Sequence, residues 1–461
     1  MSLSPETFLT RSLKEVPWGL KAARILAASL DAVDPKKAVI DNLSRKGNQL
    51  LVQGEIIDLD EYQRIFIFAI GKAALPMGLS VGEILGSSLD QAFILTKVGD
   101  QAHIVNLPEN FSLYFGAHPV PDQSSITSTI DILNHLSDLT PKDLVIILLS
   151  GGGSALLSYP VNGLNLPDLQ HINQVLLSSG AAIQEINTIR VHLSRIKGGK
   201  LSRILSPAKI ISLILSDVMG DPVDLISSGP TAPHRSSYQD AISVIQKYAL
   251  SEKINNPVME YLENGARQEK LEAPKPGDTF IDNTRNIIIA GNKDAVQGGL
   301  DQALREGFYS NILPEELFGE ASQVGVDLAN ELIKLSSCSS RPACFITGGE
   351  TTVTLPDSPA PGKGGRNLEL ALSTVKVLDG AADVGLITLA TDGEDGITNA
   401  AGAVVTGKTY QRALKLGNDP DDCLVRHDSY KYFEPLDDLI KIGLTRTNVN
   451  DLCFLFLMKG N

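Results

Sequence analysis

Residues 144–157 read LVIILLSGGGSALL. Six apolar residues in a row, with no polar face, are typical of a buried strand in a parallel sheet. The run stops at Ser150, and three glycines then lead into a helical pattern. Backbone N–H groups in such a turn can approach an anion closely, and the following helix N-terminus favours negative charge. A tight turn that needs only positive φ explains the same glycines, so both interpretations stay open.

The same pattern recurs along the chain. Five further apolar runs end in glycine or a small polar residue and are followed by helical patterning: Ile65–Ile70, Ile211–Leu215, Ile287–Ala290, Ala343–Thr347 and Val384–Ala390. This repetition predicts an α/β fold built from doubly wound, Rossmann-like parallel sheets. In such sheets ligands bind outside the carboxyl ends of the strands, where all of these glycine and acid clusters fall.

A domain boundary is expected in the polar, proline-containing stretch 264–286, NGARQEKLEAPKPGDTFIDNTRN. We therefore predict an N-terminal domain over residues 1–275 and a C-terminal domain over 276–461. The alternative is a surface loop within one domain. A helix predicted from about Ser4 to Leu30 could pack on either domain.

Composition excludes several classes of protein. Apolar residues make up 43% of the 461 residues and charged residues 20%, which is ordinary for a globular chain. The formal net charge is −14, so nucleic acid is not an expected partner. No apolar run approaches the roughly 18 residues of a spanning helix, and the first fifteen residues lack the apolar core of a signal peptide. Four cysteines without C-x-x-C spacing predict reduced thiols in a cytoplasmic protein.

Two glycine patterns imitate nucleotide motifs. Gly151 and Gly153 begin a dinucleotide fingerprint, but Leu156 stands where a third glycine or alanine is needed. Residues 402–409, GAVVTGKT, match the phosphate-binding loop expression G-x-x-x-x-G-K-[ST]. The residues before Gly402 are loop-like and 403–405 look like buried structure, so we interpret this match as fortuitous.

Two positions of positive charge are candidates for binding an anion: the single residue Lys72 and a cluster of cations in residues 187–200. Lys72 follows a buried strand directly, where a lysine is costly unless its ammonium faces a pocket or an anion, or else reaches solvent along its stem. Residues 187–200 contain four cations and a histidine. On a helix Arg190, Ser194 and Lys197 would share one face. A solvated basic face is the ordinary explanation, whereas in an acidic chain the cluster is also a suitable seat for an acidic substrate.

Carboxylates also follow strands. Asp217 and Asp221 occur in SDVMGD, and Asp392 and Asp395 occur in ATDGEDG. They could hold Mg²⁺ or accept a hydroxyl proton, but turn and helix-capping chemistry is the better reading of either pair alone.

Two further residues are ambiguous. Arg366 follows flexible glycines at the start of a helical run, which suits a clamp on a phosphoryl group or a plain helix start. His118, between turns in GAHPVPD, could bind a ligand or be structural.

Taken together, these segments closely resemble the class II glycerate kinases, the glycerate 2-kinase family with a C-terminal MOFRL domain. The resemblance extends from about residue 68 to residue 452. Its matching stretches are AIGKAALPMG, GAHPVPDQSS, LLSGGGSALL, NTIRVHLSRIKGGKL, LSDVMGDPVDLISSGPTAP, AGNKDA, TGGETTVTL, GKGGRNLELAL, ATDGEDGITNAAGAVV and RTNVNDL.

The resemblance implies two α/β domains with an active site in the cleft between them. It also implies an ATP-dependent kinase that phosphorylates the 2-hydroxyl of D-glycerate in the presence of Mg²⁺. The catalytic lysine and arginine of the family map onto Lys72 and Arg366. We add Asp217 and Asp392 as candidates for the Mg²⁺ ligand or the general base.

The remaining predicted site residues divide by ligand. Those expected at the acceptor are Arg190, Lys197 and His118. Those expected at the nucleotide are Ser150, Gly151, Gly152, Gly153, Ser154, Gly348, Gly349, Glu350 and Asn292.

One segment departs from the family pattern, which usually reads TGPTGTNVND. This chain has Leu444 in place of the proline and Arg446 in place of the second glycine. Both changes alter the backbone options of the loop, so substrate contacts from it are in doubt.

Two alternative functions stay open. One is an NAD(P)H-dependent hydroxypyruvate reductase, against which the missing third fingerprint glycine argues. The other is a non-catalytic sensor of a sugar acid or nucleotide, which the presence of both candidate catalytic cations disfavours. The oligomeric state is undecided, with a homodimer as one option.

Overall fold

The computed structural model describes residues 3–98, 107–268, 272–338, 341–355 and 360–458. The chain divides into two compact units. The parallel-sheet unit is Ala38–Ile289, and the mixed-sheet unit is Met1–Lys37 together with Ala290–Asn461. The division therefore follows Ile289 rather than residue 275, because the strand Thr284–Ala290 still belongs to the first sheet.

Sixteen strands are present in the described residues. They are β1 Leu43–Lys46, β2 Gln49–Val52, β3 Glu55–Asp58, β4 Arg64–Ile70, β5 Gln91–Lys97, β6 Phe111–Gly116, β7 Asp143–Leu149, β8 Lys209–Leu215, β9 Thr284–Ala290, β10 Tyr309–Ile312, β11 Leu317–Glu320, β12 Ala343–Thr352, β13 Val384–Ala390, β14 Gly402–Thr406, β15 Leu439–Ile440 and β16 Asp451–Leu457.

The α-helices of the same residues vary from one turn to five. They are α1 Arg11–Lys14, α2 Gly19–Asp31, α3 Pro35–Asn42, α4 Ala74–Leu85, α5 Gln123–His135, α6 Gly153–Leu156, α7 Leu166–Leu177, α8 Ile183–His192, α9 Lys200–Leu205, α10 Tyr238–Lys247, α11 Asn256–Ala266, α12 Thr279–Asp282, α13 Asn292–Arg305, α14 Ala321–Cys338, α15 Arg366–Thr374, α16 Thr409–Leu414, α17 Pro420–Val425 and α18 Ser429–Phe433. Within the described residues, no helix is both long and apolar enough to cross a membrane.

The parallel-sheet unit is built as the sequence predicts. Its six-stranded sheet has the order β6-β5-β4-β7-β8-β9, and the pairs from β6 to β8 are all parallel. Every residue of β7 is buried, as expected for a strand covered on both faces. The order reverses beside β4, the first strand of this sheet, so the ends of β4 and β7 form a natural ligand position.

The second sheet is mixed, which corrects the prediction of doubly wound parallel strands throughout. Its main path is β10-β12-β16-β13-β14-β15, and β11 also pairs with β12. The central strand β16 runs antiparallel to both of its neighbours, β12 and β13. The physical reason is that a fully buried strand has the same apolar pattern in either direction, so the pattern does not reveal which way the strand runs.

The N-terminal segment belongs to the mixed-sheet unit, where α2 packs on α13. Arg24 of α2 forms two hydrogen bonds of 2.6 and 2.7 Å with the carboxylate of Glu306. The predicted single helix is divided into α1 and α2, and Trp18 between them stacks on Phe456 at 5.1 Å. The segment is thereby anchored to the mixed sheet.

Three cysteines, Cys344, Cys423 and Cys453, are buried free thiols, and burial raises the pKa of each. The side chain of Cys338, the fourth cysteine of the prediction, lies outside the described residues.

Candidate active site

Hydrogen bonds connect the turn after β4 with the glycine-rich turn after β7. The backbone N–H of Lys72 donates to the carbonyl of Gly151 at 2.9 Å, and that of Ala73 donates to the hydroxyl of Ser150 at 3.1 Å. Gly71 has φ +121°, and a Cβ on it would lie 2.6 Å from the Ser150 carbonyl oxygen. Glycine is therefore required there, and this requirement places Lys72 directly beside the glycine-rich turn.

The glycine-rich turn brings together three predicted residues. Gly152 has φ +85°, and a Cβ on it would lie 3.0 Å from the His118 ring and 3.5 Å from Cγ of Lys72. Gly153 faces Ser227, whose hydroxyl would be 2.3 Å from a Cβ at that position. The turn is thus enclosed by side chains from three loops of the sheet edge.

A pocket of about 170 Å³ opens next to this turn. Its apolar wall comes mainly from α7 and α8, and its polar groups come from several predicted site residues. Its polar lining residues include His118, Ser154, Asn173, Arg190, Ser194 and Lys197. We call this cavity the Arg190–Lys197 pocket.

The two cations of the pocket are held without acidic partners. Lys197 is only 8% exposed, and its Nζ donates to the Ser154 carbonyl at 2.6 Å and to the Ser154 hydroxyl at 2.8 Å. Arg190 donates from Nε to the amide oxygen of Asn173 at 2.7 Å. Neither cation forms an ion pair with any carboxylate in the described part of the chain. Burial, with a smaller contribution from Arg190, lowers the pKa of Lys197 to about 7, and burial also lowers the pKa of Arg190.

Arg190, Ser194 and Lys197 do share a pocket, but not a helix face as predicted. Helix α8 ends at His192, and Gly198 and the residue after it have positive φ. The end of α8 is capped by Lys200, whose Nζ donates to the carbonyls of residues 191 and 194 at 2.8 and 2.7 Å. The chain turns back there and brings Lys197 to the pocket from a loop.

Asp217 lies beyond the end of β8 in the same unit and is half-buried, but it does not line the Arg190–Lys197 pocket. Asp221, four residues later, adopts φ +56°, which fits the turn interpretation of this segment. A metal or base role for Asp217 stays a prediction.

In the mixed-sheet unit, Arg366 is the first residue of α15 and is held by two carboxylates. Its Nε donates to Asp451 at 2.5 Å, and its Nη1 contacts Glu350. Burial alone would lower the pKa of Arg366, but the charges of Asp451 and Glu350 outweigh it and raise that pKa above its ordinary value. Arg366 is therefore a permanent cation at this position.

Asp451 was not among the predicted site residues. It is the first residue of β16 and lies in register with Gly349 of β12 and Ala390 of β13. Because β16 runs antiparallel to both, its first residue lies at the end of β13 and three residues before the end of β12. Burial raises the pKa of Asp451, and the charge of Arg366 opposes that rise. The apolar run 452–458 was a signal for this strand, but not for its direction.

Asp395 and Asp392 have separate roles. The buried carboxylate of Asp395 accepts from the backbone N–H groups of Asn367 at 3.1 Å and Leu368 at 2.8 Å. It thus satisfies two N–H groups in the first turn of α15 from a distant loop, whereas the capping interpretation concerns a helix that begins beside the aspartate itself. Asp392 is half-buried, and its carbonyl accepts from the N–H of Thr445 at 3.2 Å.

The predicted nucleotide residues of this unit are tied into the sheet edge. Asn292 donates from its amide nitrogen to the carbonyls of Val449 at 2.8 Å and Asp451 at 3.1 Å. A Cβ on Gly348 would lie 1.9 Å from the Asn292 amide oxygen, so only glycine fits. Gly349 has φ +151° and lies against the backbone of β11. Their contact with a nucleotide stays a prediction.

The structure confirms that the match of residues 402–409 to the phosphate-binding loop expression is fortuitous. Residues 402–406 form the buried strand β14, which pairs antiparallel with β13. A phosphate cradle needs a loop at this position, and a strand cannot supply it.

The loop that departs from the family pattern contains a strained residue. Arg446 is exposed and has φ +63°, a conformation that glycine adopts more readily. The neighbouring Thr445 hydroxyl donates to the carbonyl of Thr391 at 2.6 Å, which anchors the loop. Leu444 is 54% exposed.

Comparison with known proteins agrees with this architecture. A family model described as a domain of unknown function, DUF4147, matches residues 21–263, and the MOFRL family model matches residues 343–451. D-glycerate 2-kinase of Thermotoga maritima is 36% identical over 436 residues, which are 94% of this chain and 96% of that protein. A protein of Agrobacterium vitis named putative hydroxypyruvate reductase is 36% identical over 93% of this chain and 92% of its own length.

Among solved structures, a glycerate kinase from Thermotoga maritima superposes with a TM-score of 0.82 at 34% identity, covering 96% of this chain and 100% of that chain. The similarity is thus global in both sequence and fold. The chain belongs to the glycerate kinase family with a C-terminal MOFRL domain.

Proposed function

We propose that this enzyme transfers the γ-phosphoryl group of ATP to the 2-hydroxyl of D-glycerate and releases 2-phosphoglycerate. The observation that carries the proposal is the Arg190–Lys197 pocket, whose two cations have no acidic partner among the described residues. A buried charge is expensive unless an opposite charge accompanies it. A small carboxylate acceptor supplies that charge.

The size of the pocket suits the acceptor rather than the nucleotide. Its volume is about 170 Å³, and an apolar protein cavity of about 150 Å³ admits benzene, a ligand of six non-hydrogen atoms. Glycerate has seven non-hydrogen atoms, whereas ATP is several times larger. In the proposed complex Arg190 and Lys197 bind the carboxylate of glycerate, and His118 borders the pocket beside the glycine-rich turn.

Phosphoryl transfer depends mainly on positioning and charge neutralisation. We assign neutralisation of the transferring group to Lys72 and Arg366. The Lys72 assignment is supported by its place beside the glycine-rich turn, which Gly71 forces. The groups assigned to the phosphates and the rest of the nucleotide are the residues from Ser150 to Ser154, Gly348, Gly349, Glu350 and Asn292.

Mg²⁺ would neutralise the phosphates of the nucleotide when bound. No cluster of three acidic, histidine or cysteine side chains that could hold a metal occurs in the described residues. A nucleotide-bound Mg²⁺ needs only one or two carboxylates, because phosphate oxygens and water complete its shell. Asp217 and Asp392, each just beyond a strand, fit that requirement and are our candidates for the ligand and the general base.

The test is ³¹P NMR of the product formed from D-glycerate, ATP and Mg²⁺, with a control lacking enzyme. We expect 2-phosphoglycerate. A 3-phosphoglycerate signal would retain the kinase and overturn the assignment of the accepting hydroxyl. Absence of any phosphoglycerate would overturn glycerate as the acceptor, and the loop around Arg446 would be the first segment to exchange for the family sequence.

The reductase named for one relative is the second candidate. A dinucleotide fold places the pyrophosphate at the start of a long helix, with a third glycine that lets the helix pack closely. Here the helix after β7 is α6, which has four residues and ends at the buried Leu156. We therefore expect no oxidation of NADH or NADPH with hydroxypyruvate. Turnover at a rate comparable to the kinase assay would reverse this preference.

A further inference from the structure

We infer that Asp451 is a positioning residue for Arg366: it fixes the guanidinium from behind, so that the side of the cation now facing Glu350 is presented to the transferring phosphoryl group. This inference rests on the role proposed for Arg366. It adds to that role a specific partner, which acts through the arginine and not on the substrate.

The two carboxylates that hold Arg366 are not equivalent. Asp451 is 2% exposed, and its two oxygens lie 2.5 Å from Nε and 3.5 Å from Nη2 of Arg366. The side chain of Glu350 is 46% exposed and contacts only Nη1. A buried, two-oxygen contact fixes the plane of a guanidinium, whereas an exposed single contact exchanges readily with another anion.

The backbone of Asp451 leaves it little freedom to move. The residue is held in register between Gly349 and Ala390 on the two neighbouring strands. Its carbonyl also accepts a hydrogen bond from the Asn292 amide at 3.1 Å. A carboxylate anchored on the central strand of a sheet is a rigid support, and rigid support is what positions a catalytic side chain.

Two buried aspartates thus hold Arg366, one through the backbone of its helix and the other through its guanidinium. Asp395 caps α15 and fixes the backbone from which the arginine extends. Asp451 fixes the guanidinium at the other end of the side chain. Of the contacts that Arg366 forms with the described residues, the one with Glu350 can be replaced by a phosphoryl oxygen while both supports stay in place.

The kinetic test compares Asp451→Asn in the native protein and in Arg366→Ala. Asparagine keeps the shape of the side chain but removes its charge and one acceptor. We expect kcat to fall by about 10²-fold, the typical effect of a misplaced catalytic group. KM for glycerate should stay within about threefold, because the residues proposed to bind it lie in the other unit. In Arg366→Ala the same change should have almost no further effect, because the residue it positions is gone.

A matched control is available in the same unit. Asp438 is fully buried and forms an ion pair with Arg412 at 2.8 Å, and neither residue is among those assigned to the site. Asp438→Asn should lower the melting temperature and leave kcat of the folded enzyme unchanged. If both aspartate variants lower kcat alike, or if Asp451→Asn lowers it equally in Arg366→Ala, Asp451 is merely structural and the inference fails.

A spectroscopic measurement separates this inference from the proposed function and needs no activity. The Nε–H signal of Arg366 in ¹H–¹⁵N spectra, assigned by its loss in Arg366→Ala, should exchange slowly in the native protein and rapidly in Asp451→Asn. Rapid exchange in the native protein would overturn the inference directly. Slow exchange together with full activity of Arg366→Ala would instead overturn the catalytic role proposed for the arginine.

Discussion

Replacing Lys197 by methionine should make the protein more stable at pH 7 while it weakens acceptor binding. The ammonium is buried without a carboxylate partner in the described residues, and burial lowers its pKa from 10.5 to about 7. Below pH 7 the folded protein must keep this charge in its interior. Between pH 7 and pH 10.5 it stays neutral while the unfolded chain is still protonated, so the penalty shrinks as the pH rises and disappears above 10.5.

The size of the effect follows from this shift. A pKa lowered from 10.5 to about 7 corresponds to about 4 kcal/mol of lost stability at pH 7 and about 1 kcal/mol at pH 9.5. Methionine also removes the two hydrogen bonds to Ser154, which together contribute about 2 kcal/mol. We therefore expect a net gain of about 2 kcal/mol at pH 7 and a small loss at pH 9.5.

Thermal melting at the two pH values is the assay, because about 2 kcal/mol corresponds to a rise in Tm of roughly 4–8 °C for a unit of this size. Lys200→Met is the control: Lys200 is equally buried and its pKa is also lowered to about 7, but it does not line the pocket. Only Lys197→Met should raise KM for glycerate, by about 10²-fold for the loss of a buried charged contact. A lower Tm at pH 7, or an unchanged KM, would refute the reasoning.

Three further outcomes follow from the same site. In the native enzyme, kcat/KM for glycerate should fall above about pH 7, by at most tenfold per pH unit, as free Lys197 loses its proton; a flat profile to pH 9 would contradict this. Lys72→Met should lower kcat by about 10²- to 10³-fold with little change in Tm, since a preorganised charge is lost and no core packing is disturbed. Lys408→Met should leave KM for ATP within about twofold, because β14 is a strand and not a phosphate-binding loop. A large rise in KM would show that residues 402–409 bind ATP after all.

The parallel sheet could be predicted because its strands have a distinctive signature. A run such as 144–149 is apolar on both faces and is followed by glycine, and both features point to a covered strand with a ligand edge. The mixed sheet shows the limit of this reasoning. The run 452–458 looks the same, yet β16 is antiparallel to its neighbours, and only the connections before it decide its direction. The predicted unit boundary at residue 275 lies fourteen residues before the observed one, because a polar stretch precedes the last strand of the first sheet.

In the candidate site, too, some features could be predicted from the sequence and others could not. Lys72, His118 and Gly152 lie far apart in sequence but meet because parallel strands end at one edge. Arg190 and Lys197 share a pocket even though the predicted helix stops between them, since the chain turns back at glycines after α8. The partner of Arg366 could not be found in this way. An aspartate before an apolar run is usually a turn residue, and only an antiparallel strand brings it to the ligand edge.

The contrast between Arg366 and Lys197 has a functional consequence. Arg366 has its counter-charge in the protein, so it keeps its charge across the physiological pH range and needs no ligand to be stable. Lys197 has no counter-charge in the described residues, so at neutral pH it becomes fully protonated only when an anion binds beside it. Acceptor binding at neutral pH should therefore take up a proton, whereas the step that uses Arg366 should not. Calorimetry of glycerate binding in buffers of different ionisation enthalpy measures that proton directly, and uptake that persists in Lys197→Met would assign it to another group.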